Sequence, residues 1–504
     1  MKNIYVLLSL ALTCAMVATP QGRPVDWPSL GGDARRTGWE RSDIRITKDN
    51  IKDFQLVLKR KLDGPQAGLR ALTPPVVIGL LISYKGFKEL GFVAGNSGDL
   101  WSIDLDTNKQ FWHKRFPLSK ADGVCASLAT APALVPPAVF GGRRPGGPAA
   151  APGAAAAART LPPRLGGGGF GGPRPLYFVA ADGKLQQVNT SDGSDRFPAL
   201  DFLPAGARPE SLLMTDNTVY AVTANECGGA PNALWAMDLA QEEPKAVHFS
   251  IPTAKADMPK FAVGNNGAIY LQTAETLHIL SGKDLKPQGE FTPAGKGASV
   301  ATTPTVFDYK GHDLIASAGK DGRLYLHDSL ALNAPLAQSV PVAAAGGHIG
   351  HGLTTWEDGD GVRWIAAPVW GAVSSELKAV ANGPAPSGSI VAFRVVEQNG
   401  KPALLPTWIS RDMKSPVAPV VTAGGVFALS TTGRATLFAL DSGTGREIWN
   451  SGTQVNAPGS LTGLTLANGR VFFTTKLLIS LFFFVFFIFF VMVFGRNSRF
   501  VFEC

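Results

Sequence analysis

Two histidines, His348 and His351, form an H-x-x-H pair, the pattern in this sequence that comes nearest to a metal site. Imidazole nitrogens bind transition metals, and two histidines on a rigid helix or turn can share an ion when a third ligand stands nearby. The pair lies in the stretch AAAGGHIGHGLTTW, whose four glycines argue against a stiff helix. The sequence therefore favours a solvated connecting loop here, with metal binding by His348 and His351 as the alternative.

The cysteines exclude two other kinds of site. Cys14, Cys125, Cys227 and Cys504 contain no C-x-x-C pair, which argues against a thiolate zinc site and against a thioredoxin-type redox centre. Cys14 falls in a predicted leader and Cys504 falls in the terminal tail. Cys125 and Cys227 remain as two thiols that could form a disulfide in an oxidising compartment, at a distance that the sequence does not fix.

The charge distribution argues against a nucleic-acid partner. The chain has 47 Lys and Arg against 39 Asp and Glu, a formal net charge of +8. Five arginines of this excess lie in residues 136–175, a stretch without acidic residues, and the rest lies at the two ends. The remaining body is neutral, whereas nucleic-acid binding needs a concentrated basic face.

Both ends of the chain differ from its middle. Residues 1–20 combine Lys2, an apolar stretch and small residues around Ala18, which is the pattern of a secretory signal peptide. We therefore expect the body to be exported, to the periplasm or out of the cell. Residues 477–494 are apolar and uncharged, which fits either a transmembrane anchor or a sequence artefact from a frame slip. Only the anchor would make a membrane a partner of this chain.

The elements that must position any site come from an internal repeat. A polar turn, an alternating strand, an Asp or Asn turn and an aromatic residue recur along the middle of the chain. The strand anchors of this repeat are Leu100, Leu185, Leu234, Leu277, Leu324, Ile390 and Leu437. Their period is 43–49 residues once residues 136–175 and an extra stretch that includes Asn382–Gly388 are set aside. Four short strands per unit at this period indicate a β-propeller blade.

The sequence thus predicts an all-β protein, an eight-bladed β-propeller over residues 26–475. Seven blades are clear, and the eighth is disrupted where residues 477–494 replace the expected polar turn. Residues 54–62 read as a strand without a repeat of its own, and we expect it to pair into the last blade. Residues 136–175 are so rich in Gly, Pro and Ala that we expect a disordered loop within the propeller.

The repeat resembles a known family. Asp441–Trp449 has the pattern D-x-x-T/S-G-x-x-x-W, and with the start Asp26–Trp39 it is similar to the repeats of the pyrroloquinoline quinone (PQQ)-like propellers. That family includes quinoprotein dehydrogenases and also non-enzymatic propellers such as an outer-membrane assembly lipoprotein. The resemblance covers roughly residues 26–475 and specifies architecture more strongly than activity.

The resemblance also says where a cofactor would lie. Quinoprotein alcohol dehydrogenases hold PQQ over two adjacent, disulfide-bonded cysteines and a tryptophan, with Ca²⁺ bound by Glu, Asn and Asp. This chain has no adjacent cysteines. Thr223–Asn225 is similar to the family's T-G-N turn, so Asn225 is one candidate for the cofactor site, and Trp370 is the other. We assign no catalytic residue.

The sequence-level prediction is therefore an exported binding or scaffolding module. Its partner would be a protein, a small molecule or a polymer at the propeller face or in the channel. The alternative is a PQQ-dependent dehydrogenase with PQQ and Ca²⁺ as cofactors.

Overall fold

A computed structural model describes residues 23–62, 72–118, 125–126, 129–136, 174–251, 258–293, 301–331, 334–459, 463–475 and 478–484. Within these ranges the regular structure consists of 34 β-strands and a few short 3-10 turns. The predicted signal peptide, residues 1–20, lies outside the described residues. Most of the predicted loop, residues 136–175, and the apolar residues 485–494 lie outside them as well.

The first four sheets follow one another along the chain, each with four antiparallel strands. Their strands are β2 (Val76–Ser83), β3 (Gly86–Ala94), β4 (Asp99–Asp104) and β5 (Lys109–Arg115) in blade 1; β6 (Ala133–Leu134), β7 (Pro175–Val179), β8 (Lys184–Asn189) and β9 (Asp195–Asp201) in blade 2; β10 (Leu212–Thr215), β11 (Thr218–Thr223), β12 (Ala233–Asp238) and β13 (Ala246–Ser250) in blade 3; and β14 (Lys260–Val263), β15 (Ile269–Gln272), β16 (Leu277–Leu280) and β17 (Pro287–Phe291) in blade 4.

Three more blades follow, and the sixth is enlarged by short additional strands. Their strands are β18 (Thr305–Tyr309), β19 (His312–Ala318), β20 (Leu324–Asp328) and β21 (Ala337–Gln338) in blade 5; β22 (His348–Ile349), β23 (Thr354–Glu357), β24 (Arg363–Trp370), β25 (Val380–Ala381), β26 (Gly388–Gln398) and β27 (Lys401–Ile409) in blade 6; and β28 (Val420–Val421), β29 (Val426–Ser430), β30 (Thr436–Leu440) and β31 (Glu447–Asn450) in blade 7.

The predicted repeat coincides with these blades. Each of the seven strand anchors lies on the third strand of its sheet, from Leu100 on β4 to Leu437 on β30. These strands are buried along most of their length, as in Leu437–Leu440, because neighbouring blades cover both faces of a sheet. The chain is therefore an all-β β-propeller in which seven blades match the seven repeats.

The remaining sheet joins the two ends of the chain. Its strands run in the order β1 (Phe54–Lys61), β34 (Leu478–Phe484), β33 (Arg470–Thr474) and β32 (Thr465–Ala467). β1 pairs with β34 in antiparallel register, from Phe54 opposite Phe484 to Lys61 opposite Leu478. We call this unit the closing sheet. It contains the pairing that the sequence predicts for residues 54–62.

Three stretches that the sequence sets apart from the regular blades are described at least in part. Leu478–Phe484, at the start of the apolar run, form a β-strand whose hydrogen-bonding partners are β1 on one side and β33 on the other. Arg174 and Pro175, assigned to the disordered loop, are buried, and Pro175 opens β7. Residues 382–387 connect β25 to β26, and β25 pairs in parallel with β27. Among the described residues, none of the helices has the length and apolar character needed to cross a membrane.

The segment from Asp26 to Glu40, here called the crossing segment, belongs to no blade and bonds to one strand in each of six blades. Its carbonyl groups accept hydrogen bonds at 2.8–3.0 Å in blades 1, 2, 4, 5, 6 and 7, from the N–H groups of Val77, Leu134, Val263, Val306, Thr355 and Val421. Because its backbone is paired in this way, the crossing segment forms a wall across the centre of the ring.

Candidate functional site

A cavity of about 430 Å³ lies where the blades converge. Part of its wall comes from one recurring position, the residues directly before strands β10, β14, β23, β28 and β32. These residues are Ser211, Pro259, Leu353, Pro419 and Leu464. The volume is in the range of small-molecule pockets, and most of the lining is apolar. The arrangement of the sheets therefore builds a concave site that no single repeat contains.

The crossing segment closes one side of this cavity. Leu30, Gly31, Arg36 and Gly38 all line it. Gly38 has a left-handed φ of +63°, and a Cβ there would stand 3.0 Å from the side chain of Thr354. Only glycine combines a positive φ with the lack of a Cβ at this short distance, so Gly38 lets the crossing segment lie close against blade 6.

Arg36 is the charged group of the crossing segment that faces the cavity. Its side chain is 4% exposed, and its Nε donates to the Phe261 carbonyl at 3.2 Å. Its Nη1 donates to the Leu30 carbonyl and to Ser29 Oγ. Burial lowers the pKa of Arg36 to about 10, against the attraction of Asp33 and Glu210. The guanidinium is therefore held by backbone carbonyls and stays charged at neutral pH.

An ion pair lies in the lining close to Arg36, next to Phe261. Lys260, the first residue of β14, donates to Glu210 Oε2. The two side chains keep 12% and 25% of their surfaces accessible, and both residues line the cavity. Burial acts to raise the pKa of Glu210, but Lys260, followed by His351 and Arg36, outweighs it, so the pKa lies below its ordinary value. Glu210 is thus a carboxylate that remains ionised inside the cavity.

Asn225, a predicted cofactor-site residue, does line the cavity. It has a left-handed φ of +61°, which asparagine tolerates better than most residues, and Glu226 follows with a φ of +50°. Cys227, two residues beyond Asn225, forms a disulfide with Cys125 across a sequence separation of 102. The pairing that the sequence left open is therefore present, and it fixes the loop that carries Asn225.

The other predicted residues lie together, but not as expected. His348 opens the short strand β22, where it pairs with Trp370, and His351 lines the cavity. The Trp370 ring is 5.1 Å from the ring of His348 and 5.0 Å from that of His351. The prediction of a solvated loop is thus wrong for this pair, because β24 and its terminal tryptophan hold both imidazoles half-buried.

These residues do not fit the PQQ and Ca²⁺ arrangement that the family resemblance implies. The disulfide is not between adjacent residues, and Trp370 does not line the cavity; its Nε1 donates to the Pro416 carbonyl at 2.8 Å. Glu210, the acidic side chain in the lining, already pairs with Lys260. In the ranges that the structure describes, no three His, Cys, Asp or Glu residues are grouped closely enough to hold a metal ion.

Sequence reasoning missed Arg36, Glu210 and Lys260. A signal was available for two of them, because both lie within two residues of a proline at the entry of a strand: Glu210 follows Pro209 and stands two residues before β10, and Lys260 follows Pro259 and opens β14. Arg36 lies outside every repeat, so the period gives no information about it.

Comparisons with known proteins support the fold. Neither a protein-family model nor a curated protein matches this sequence. The quinohemoprotein alcohol dehydrogenase from Comamonas testosteroni aligns over 93% of this chain and 82% of its own, with 12% identity and a TM-score of 0.55. A europium-containing methanol dehydrogenase aligns over 90% of each chain, with 12% identity and a TM-score of 0.53. BamB from Moraxella catarrhalis aligns over 88% and 99%, with 13% identity and a TM-score of 0.48. At such identities the first two likenesses show a shared propeller fold.

Proposed function

We propose that this chain is an exported ligand-binding propeller, in which the blades act as the scaffold and the central cavity holds the ligand. The observation that carries this proposal is the cavity itself, about 430 Å³ of mostly apolar wall with a few buried charged groups. Such a combination is typical of sites that bury an organic ligand and orient it through a small number of polar contacts.

Two features support export. Residues 1–20 have the pattern of a secretory signal peptide, and Cys125 and Cys227 form a disulfide. Disulfides persist mainly in oxidising compartments such as the periplasm or the extracellular space. The working place that we propose is therefore outside the cytoplasm.

The proposal includes a closed, eight-bladed ring. The closing sheet supplies Gly463 and Leu464 to the cavity lining, and its first strand contacts blade 1 through the Thr465 hydroxyl, which donates to the Pro75 carbonyl at 2.6 Å. As an eighth blade, this sheet would complete the cavity wall between blades 7 and 1. The ring then depends on residues 54–61 at one end of the chain and 465–484 at the other.

The test is a ligand screen against the purified protein and two variants. Ser211→Trp places a large ring in the cavity, and Ser375→Trp places the same ring on the exposed surface of blade 6. We expect compounds that bind the wild-type protein, detected by ligand-observed NMR and thermal shift, to bind Ser375→Trp equally well and to lose binding to Ser211→Trp. A screen of several hundred metabolites and short peptides in which no compound shows this pattern would contradict the proposal.

A further inference from the structure

We propose that the ligand of the central cavity is an organic carboxylate with an apolar body. This inference rests on the proposed function, because it names the chemical class that the same cavity accepts. The chemistry could come from a small carboxylic acid or from the C-terminal carboxylate of a peptide, and the experiment below separates these two sources.

The charge in the cavity wall favours an anion. The lining contains the Arg36 guanidinium and the Lys260 ammonium, against the single carboxylate of Glu210. Asp33 also lies near Arg36, but it is not in the lining, and its carboxylate accepts the N–H of Thr37 at 3.0 Å and its hydroxyl at 2.7 Å. The wall therefore carries one more positive than negative charge, which a monoanion would neutralise.

Arg36 offers a donor for that anion. Its Nε and Nη1 are bound to Phe261, Leu30 and Ser29. Within the part of the chain that the structure describes, Nη2 donates no hydrogen bond, and the guanidinium borders the cavity. A guanidinium N–H that is accessible from a mostly apolar cavity can donate a charge-assisted hydrogen bond to a carboxylate oxygen of the ligand.

The rest of the wall favours an apolar body over a small hydrated anion. The lining around the charges is aliphatic or aromatic, for example Val222, Met258 and Leu353. Inorganic anions such as sulfate keep their water, and this surface could not replace it with hydrogen bonds. Burying an apolar group against the same surface is favourable in proportion to the area removed from water. A carboxylate joined to a ring or a branched chain meets both requirements.

The experiment compares charged and neutral probes of the same shape. Biphenyl-4-carboxylate is compared with biphenyl-4-carboxamide, and N-acetyl-Leu-Phe with a free C-terminal carboxylate is compared with its amide, by calorimetric titration of the disulfide-bonded protein. We expect at least one carboxylate to bind, with its amide weaker by about tenfold or more, the size of a lost charge-assisted hydrogen bond. A preference for the biphenyl acid indicates a small molecule, and a preference for the peptide acid indicates a polypeptide terminus.

Two variants distinguish electrostatic recognition from damage to the fold. Glu210→Gln removes the one acidic group and releases Lys260, so carboxylate affinity should increase about five- to tenfold, a gain that a misfolded protein would not show. Lys260→Gln should lower carboxylate affinity and leave amide binding unchanged. Equal binding of acid and amide, no response to Glu210→Gln, or no binding of either acid would overturn the inference. A neutral ligand that fails to bind Ser211→Trp would still support the proposed function, so the two failures can be told apart.

Discussion

The junctions between neighbouring sheets are of two kinds. At two junctions between consecutive blades, a tryptophan on the fourth strand donates its indole N–H to the turn of the next blade. Trp112 donates to the Thr190 carbonyl at 2.9 Å, and Trp408 donates to the Ser442 carbonyl at 3.0 Å. The closing sheet instead joins its neighbours through residues that occur once, such as Phe54 on one side and Arg470 on the other.

This difference explains which junctions can be read from the sequence. At the two repeat junctions, an aromatic residue near the end of one unit covers a turn of the next blade. Trp112 closes one copy of the repeat, after the turn Asp104–Asn108, so its position can be recognised from the sequence, whereas Trp408 follows no Asp-x-x-Thr/Ser-Gly turn. At the closing sheet the corresponding residue, Trp449, packs against Phe54 at a ring distance of 5.9 Å. The partner, Phe54, lies near the other end of the chain and outside the repeats, so the repeat pattern does not predict this contact.

The largest effect is expected from opening the closing junction. Phe54 is 2% exposed and lies between the rings of Phe427, at 5.2 Å, and Trp449. Phe54→Ala should lower the free energy of unfolding by about 3–5 kcal/mol, since it removes a buried ring and leaves a cavity. Urea unfolding followed by tryptophan fluorescence measures the loss. Val57→Ala, on the same strand but 42% exposed, is the control and should cost less than about 0.5 kcal/mol. Equal losses in both variants would show that the ring does not depend on β1.

A covalent junction provides the second prediction. The Cys125–Cys227 disulfide connects the chain between blades 1 and 2 to blade 3, across a sequence separation of 102. Such a cross-link restricts the unfolded chain, and its removal typically costs about 2–4 kcal/mol. The double variant Cys125→Ser, Cys227→Ser should therefore unfold at a lower urea concentration than the wild-type protein. Reductant should destabilise the wild-type protein and leave the stability of the double variant unchanged. If reductant destabilises both proteins, its effect does not come from the Cys125–Cys227 disulfide.

The repeat junction can be tested with a matched pair of glycines. Gly445 has a φ of +70°, and a Cβ there would stand 2.2 Å from the Trp408 ring, while Gly433 has a φ of +79° and nothing within 4 Å. Both alanine variants pay about 1 kcal/mol for the left-handed backbone. Gly445→Ala should lose about 1–3 kcal/mol more, because the methyl group displaces the tryptophan. Equal unfolding free energies would mean that Trp408 moves away without loss and that the docked ring does not hold blades 6 and 7 together.

The same contrast limits what the sequence could predict about the site. Leu437 and the other anchors were assignable because each is apolar, flanked by turns and repeated at a regular spacing. The lining is different in kind, since Arg36, Glu210 and Lys260 are separated widely in sequence and meet only when blades 3 and 4 pack side by side and the crossing segment lies against them. The half-buried state of His348 and His351 depends on Trp370, which reaches them from the end of another strand. The regular spacing of apolar residues predicts the blades, whereas the proximity of Arg36, Glu210 and Lys260 is visible only in the folded structure.

The smallest effect concerns the junction between the closing sheet and blade 1. Glu89 is 6% exposed, and it accepts a hydrogen bond from Arg470 Nη1 at 2.8 Å. Burial raises the pKa of Glu89 to about 7, against the attraction of Arg470. Its pKa in the folded protein is thus above that of the unfolded chain, so the stability it contributes is complete below about pH 4.5 and is lost as the pH rises through about 7.

Between pH 6 and pH 8 the wild-type protein should therefore lose about 1 kcal/mol of unfolding free energy through this group. Glu89→Gln keeps the shape of the side chain but cannot ionise, so its unfolding free energy should lack that part of the pH dependence. Glu243→Gln, whose side chain is 83% exposed, is the control and should retain the wild-type slope. Urea titrations at the two pH values measure all three proteins. If Glu89→Gln and the wild-type protein show the same slope, Glu89 stays ionised beside Arg470 throughout this range, and the closing junction holds a buried ion pair rather than a proton-dependent contact.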